Sequence, residues 1–172
     1  MTKMDSDKSI RLMSPDDLHR VLAWRNHPDV RRYMYTQHEI TMEEHQRWFA
    51  RAAQDKDKYL LIYESDATPL GFIQFSKLSG SAVADWGFYA APDAPKGSGR
   101  HLGREALDYA FSQLHLHKVC GQALAFNERS ISFHRTLGFH QEGLLREQHY
   151  DGQQYHDVLC FGLLKSEWQP DI

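Results

Sequence analysis

Two cysteines in 172 residues give no disulfide framework. Cys120 and Cys160 lie 40 positions apart in apolar, strand-like surroundings, so they read as buried free thiols. A basic excess is also missing. The formal net charge is -3, which argues against a nucleic-acid partner. No apolar run approaches the length of a membrane span; the run at Tyr59–Tyr63 is among the longest. Met1–Ser9 is polar and charged, with no apolar core of a secretory leader, and a cytoplasmic location is expected. Metal-ligand spacing is missing too. There are eleven histidines, but none form a His-x-x-x-His pair on an expected helix, so no metal site is expected.

What remains is ordinary globular composition, 41% apolar and 25% charged, on a chain long enough for one well-filled core. Ile10–Met13 can begin a strand. Ser14-Pro15-Asp16-Asp17 reads as a helix start, and the residue before Pro28 should end that helix. Thr41-Met42-Glu43-Glu44 has the form of a capping box, with Trp48, Phe49 and Ala52 on or near the inner face. Tyr59–Glu64, Gly71–Lys77 and Val83–Tyr89 alternate as three strands of a meander. Leu102, Ala106, Leu107, Ala110, Phe111 and Leu114 then recur at helical spacing. A strand at Val119–Ala125 and a helix at Asn127–Leu137 follow, the helix closed by Gly138. Two final strands, Phe139–Tyr150 and Tyr155–Leu164, flank Asp151-Gly152, a hairpin signal. This order predicts a mixed sheet covered by helices.

The stretch after the third strand carries the first chemical signal. Ala94-Pro95-Lys96-Gly97-Ser98-Gly99-Arg100 joins a strand to a helix. A helix start offers unpaired N–H groups and the positive end of the dipole, so anions settle there. Glycines let a phosphate approach the backbone. No Gly-Lys-Ser/Thr closes this loop, and Gly97, Gly99 and Gly103 miss the G-x-G-x-x-G spacing by one residue. The loop alone fits a surface bend as well as a phosphate cradle.

The second signal is Asn127-Glu128-Arg129-Ser130, leading through His134 to Gly138-Phe139. With this pair of motifs, in this order, the chain resembles the GCN5-related N-acetyltransferase (GNAT) superfamily over about residues 9–168. That family has a Gln/Arg-x-x-Gly-x-Gly/Ala loop, then an Asn-x-x-Ser/Ala helix running to Gly-Phe. Within it the chain resembles the ribosomal-protein acetyltransferase branch. In Trp24-Arg25-Asn26, Tyr33-Met34-Tyr35, Glu44–Phe49 and Tyr155–Val158 it resembles the amino-sugar-nucleotide acetyltransferases of pseudaminic acid biosynthesis.

The resemblance implies an α/β (α+β) fold in one domain over 1–172. About seven mostly antiparallel strands would be flanked by about four helices, with a splayed strand pair that binds acetyl-CoA. Residues 1–8 would be disordered, about 9–80 would serve the acceptor, and about 81–168 the acetyl-CoA. It implies direct acetyl transfer to an amine, here the 4-amino group of UDP-4-amino-4,6-dideoxy-N-acetyl-β-L-altrosamine. A protein N-terminus is the alternative acceptor, and a non-catalytic CoA sensor is the alternative of another class. A homodimer through an exposed strand edge is compatible with the fold.

Residue by residue, Phe88, Tyr89 and Ala90 would bind pantetheine through their backbone. Lys96, Gly97, Ser98, Gly99 and Arg100 would hold the pyrophosphate, and Asn127 would contact pantetheine. Arg129 and Arg135 would approach the 3′-phosphate. Arg25, Met34, Tyr35, His45 and Phe49 would line the acceptor pocket. His134 stands where the family often has a tyrosine that protonates the departing sulfur. A histidine near its reference pKa is only about a quarter protonated at pH 7. Ala94 replaces the loop's Gln/Arg, which shifts the expected pyrophosphate contacts onto backbone N–H groups.

Overall fold

The computed structural model describes residues 6–170. Seven strands and five α-helices follow one another as β1 (Lys8–Leu12), α1 (Leu18–Asn26), α2 (Pro28–Arg31), α3 (Met42–Gln54), β2 (Lys58–Ser65), β3 (Thr68–Lys77), β4 (Val83–Ala90), α4 (Ser98–Ser112), β5 (Lys118–Leu124), α5 (Glu128–Thr136), β6 (His140–Tyr150) and β7 (Tyr155–Leu164). The sheet order is β1-β2-β3-β4-β5-β7-β6, and every neighbouring pair is antiparallel except β4 and β5. This is the mixed sheet expected, with one short helix more than the sequence suggested.

Local chemistry sets the boundaries. Thr41 Oγ1 accepts the Glu44 N–H at 3.1 Å, which closes the expected capping box of α3. The expected start at Ser14 is present: Ser14 caps a 3₁₀ turn, Pro15–Asp17, that runs directly into α1, and the Asp17 carboxylate accepts the Ser14 N–H at 2.9 Å. Asp17 also receives the Arg11 guanidinium in fork geometry at 2.7 and 2.8 Å and Arg20 at 2.7 Å, tying β1 to α1. Lys8 already pairs with Ser65, so the expected disordered segment does not reach residue 8; residues 1–5 lie outside the described residues. The Asp151-Gly152 hairpin has a four-residue loop, because the Asp151 carboxylate accepts the N–H groups of both Gln153 and Gln154.

Strand alternation divides the apolar side chains between two faces. On one, Leu61, Ile73, Phe75, Trp86, Val119 and Phe161 pack against α4 and α5. On the other, Leu60, Ile62 and Phe72 pack with Val21, Trp24 and Ala52 of α1 and α3. Both cysteines are free and half-buried, where full burial was expected. No helix among the described residues is long and apolar enough to cross a membrane.

Candidate active site

β4 and β5 are hydrogen-bonded at only three residue pairs, Val83 with Lys118, Ala84 with Val119 and Asp85 with Cys120. Beyond Asp85 the two strands diverge, although each continues to pair with its outer neighbour. The V left between them exposes backbone N–H and C=O groups of Gly87–Ala90 and Gln122–Leu124. An extended polar chain can pair with such an edge as a strand would.

At the wide end of the V, β4 runs into α4. Gly97 caps this helix with φ +92°, a conformation that costs any residue with a Cβ about 1–2 kcal/mol. The Ser98 N–H is turned back onto the Pro95 carbonyl, and the first helical bond runs from His101 to Gly97. The first turn therefore leaves the Gly99 and Arg100 N–H groups without a helical acceptor. An anion placed there meets two free donors and the positive dipole end. Ala94, Pro95, Lys96, Gly97, Ser98 and Gly99 all border one large cleft of about 1590 Å³.

That cleft continues down the V and beneath the segment joining α2 to α3. Phe88, Tyr89 and Ala90 form one side, and Asn127, Arg129, Ser130 and His134 form another. Asn127 Oδ1 accepts the Ser130 N–H at 3.2 Å and so caps α5, which leaves its amide NH₂ for a ligand. Met34, Tyr35, Arg25 and His45 also border the cleft.

Three expected residues stand elsewhere. Phe49 packs into the α1–α3 core, and its neighbour Trp48, 100° round the helix, takes the cleft position. Arg135 borders a separate shallow groove and donates to Gln141 at 3.2 Å, so Arg129 is the arginine of α5 at the cleft. Arg100 does not border the cleft; what it has to offer is its unpaired N–H in the first turn of α4.

His134 reaches the cleft but is 1% exposed. It is ringed by Phe88, Phe133, Phe139 and Phe161. Trp86 Nε1–H donates to His134 Nε2 at 3.1 Å. An indole N–H can only donate, so Nε2 carries a lone pair, and Nδ1–H donates to the Ser130 carbonyl at 2.8 Å. Burial pushes its pKa down, which the Ser130 bond only partly opposes. The ring is neutral, with its single proton committed. This geometry opposes the acid role expected for it. The bond to Trp86 passes over Gly121, where an added Cβ would sit 2.5 Å from Nε2 and 2.7 Å from Nε1.

On the acceptor side, Arg25 Nη2 donates to the Thr36 carbonyl at 2.8 Å, whereas Nη1 is buried without a partner. His45 is 4% exposed. Burial pushes its pKa down, against a ring N–H bond to the Leu18 carbonyl, and its Nε2 has no partner. The segment above them is pinned at one end by Asn26, whose side chain bonds both the N–H and the C=O of Ile40 at 2.8 Å. At its tip, Tyr35 Oη donates to Gln122 Oε1 at 2.8 Å across the cleft, and Tyr33 stacks on Phe126. No local motif marks Trp86, Gly121 or Gln122, whose partners are remote in the chain.

A sheet parted at a parallel seam, opening onto one cleft that holds both a helix start with free N–H donors and an unpaired guanidinium, suits an enzyme that moves an acyl group from a coenzyme A thioester to an amine. The chain belongs to the acetyltransferase (GNAT) domain family, whose model matches residues 9–140. It is 30% identical over 133 residues to the acetyltransferase PseH of Campylobacter jejuni, covering 77% of this chain and 82% of that one. It is 23% identical over 168 residues to the spermidine N(1)-acetyltransferase of Vibrio cholerae, covering 96% and 97%. A crystal structure of spermidine N-acetyltransferase from Vibrio cholerae with CoA and spermine shares the fold, with a TM-score of 0.86 at 23% identity over 93% of this chain and 96% of that one. The activity is acetyl-CoA-dependent N-acetyl transfer.

Proposed function

We propose that the acceptor is an amino-sugar nucleotide, UDP-4-amino-4,6-dideoxy-N-acetyl-β-L-altrosamine, and that the enzyme acetylates its 4-amino group in the cytoplasm as a step of pseudaminic acid biosynthesis. One observation carries this reading. Arg25 brings a buried, unpaired guanidinium N–H to the cleft, and no carboxylate bonds it among the described residues. A buried cation without a counter-charge is unfavourable until an anion arrives. A diphosphate supplies one, and the guanidinium fork suits phosphate oxygens. Tyr35, Trp48 and Tyr89 also border the cleft and offer apolar faces to a uracil ring or a sugar methyl. Spermidine, the acceptor named for several relatives, is a polycation, and the cleft sets five cationic side chains, Arg25, Arg47, Arg51, Lys96 and Arg129, against three acids, Asp29, Glu44 and Asp85.

The acetyl-CoA pyrophosphate would rest on the Gly99 and Arg100 N–H groups beside Lys96. Pantetheine would lie along Phe88–Ala90 with Asn127 opposite, and Arg129 would take the 3′-phosphate. An amine with a pKa of about 8 is partly neutral at pH 7 and attacks the thioester directly.

Thiol release from acetyl-CoA is the test, with UDP-4-amino sugars, spermidine and N-terminal ribosomal peptides compared as acceptors. The UDP-amino sugar is expected to turn over fastest. Arg25→Ala should raise its KM by about 10–100-fold, the weight of one charge-assisted hydrogen bond. Turnover of peptides alone would assign the enzyme to protein N-termini instead, and turnover of spermidine alone would remove the need for Arg25.

A further inference from the structure

We propose that Asp85 is a catalytic residue, which holds the acceptor's amino group beside the thioester and takes the proton that nitrogen must lose. This rests on reading the cleft as the meeting place of acetyl-CoA and amine. The pyrophosphate cradle lies at the wide end of the V, so the thioester end of the coenzyme points towards the narrow end. The last rung before the strands part is Asp85 with Cys120. Ala84 and Trp86 belong to the α4–α5 core, so Asp85 and Gly87 lie on the opposite face, where both border the cleft.

Three further observations single out this carboxylate. Gly87, the next residue on that face, has no side chain, and a Cβ there would meet nothing within 4 Å. Open space therefore lies over the strand immediately beside Asp85. On the β3 side the floor is polar but neutral, and on the β5 side the nearest charges, Lys118 and Glu142, are paired with each other at 2.8 Å. Gln74 and Ser76 of β3 stand opposite Gly87 and Asp85, and Gln74 is hydrogen-bonded to Ser76 at 3.1 Å. The other two acids of the cleft are placed differently. Glu44 is bonded to Thr41 and His38, and Asp29 lies in the first turn of α2, off the sheet. Among the described residues, Asp85 makes neither a hydrogen bond nor an ion pair. His134 has no proton-accepting capacity to spare, since Nε2 is occupied by Trp86.

The step balances without a further reactant. The amine lone pair attacks the thioester carbonyl carbon, and the C–N bond forms as the C–S bond breaks. One N–H proton passes to the Asp85 carboxylate and on to solvent. CoA leaves as the thiolate and takes a proton from water.

The experiment uses whichever amine of the panel above the wild-type enzyme acetylates fastest. Asp85→Asn is expected to lower kcat by about 100-fold or more, the usual weight of a positioned acid or base, with acetyl-CoA affinity by calorimetry within twofold of wild type. Asp85→Glu should recover part of the loss. Gly87→Val, which suits a strand, should block turnover while acetyl-CoA still binds. An Asp85→Asn kcat within threefold of wild type would overturn the assignment, as would a loss explained by weaker acetyl-CoA binding. Normal turnover by Gly87→Val would overturn the reading of the cleft itself, and Asp85 with it. A blocked Gly87→Val beside an active Asp85→Asn keeps the cleft and removes only the carboxylate.

Discussion

At His134 both ring nitrogens are already engaged, one by the Ser130 carbonyl and the other by the Trp86 indole. Its neutral form is built into the core, and this has a thermodynamic signature. Burial lowers the folded-state pKa below the unfolded reference of about 6.5. The unfolded chain therefore binds more protons as pH falls through 6.5, and stability drops with it, by up to about 1.4 kcal/mol per pH unit. The loss stops below the folded-state pKa. His134→Gln keeps a side chain that can accept from Trp86 but does not titrate. Denaturant unfolding between pH 7.5 and 5 should show a shallower decline for this variant than for wild type. Equal slopes would mean the histidine is not held neutral. His45 has the same direction of shift, so a decline remains in the variant. This environment was hidden in the sequence, because it requires a missing side chain at Gly121 on one strand and an indole on another.

Among the elements, the caps and alternations were legible because they are local. The Thr41–Glu44 box, the extended residue before Pro28 and the glycine after α5 each involve groups a few residues apart. Gly138 has φ +100°, as a helix-closing glycine should. Helix phase was less legible. Trp48 and Phe49 differ by one step, and Arg129 and Arg135 by six, yet only tertiary packing decides which of each pair meets the cleft. At the start of α1 the cap was legible and its remote partners were not. Asp17 is the first-turn acid that its position suggests, and it also collects Arg11, Arg20 and the Ser14 N–H. It loses hydration on burial, but these partners outweigh that cost and hold its pKa at about 2. Its contribution is present above the unfolded pKa near 3.8 and is lost as pH falls towards 2. Asp17→Asn should cost about 2–3 kcal/mol at pH 7, read from the denaturant midpoint, and almost nothing at pH 2. At α4, Gly97→Ala should cost about 1–2 kcal/mol of stability from its positive φ. The same substitution should weaken acetyl-CoA binding in calorimetry, because the cradle is built on that residue.

For the whole molecule, the parted sheet makes ligand binding and stability a single measurement. A coenzyme that bridges β4 and β5 binds only the folded chain, so acetyl-CoA at 100 times its Kd should add about 2.7 kcal/mol. For a protein of this size that is a rise in Tm of about 5–10 °C. Amide exchange should slow most at Gly87–Ala90 and Gln122–Leu124, whose inner edges the coenzyme would cover, and little at β1 and β2. Uniform slowing across the sheet would contradict binding in the V. The seam also has a mechanical meaning. Three backbone rungs join a four-stranded panel, β1–β4, to a three-stranded one, β5–β7, and the apolar core shared with α4 and α5 fastens the two panels from one side. The parting is therefore a notch in a stiff plate, fixed in width before any ligand arrives. A coenzyme fills a slot already shaped for it, and little of its binding energy goes into prising strands apart.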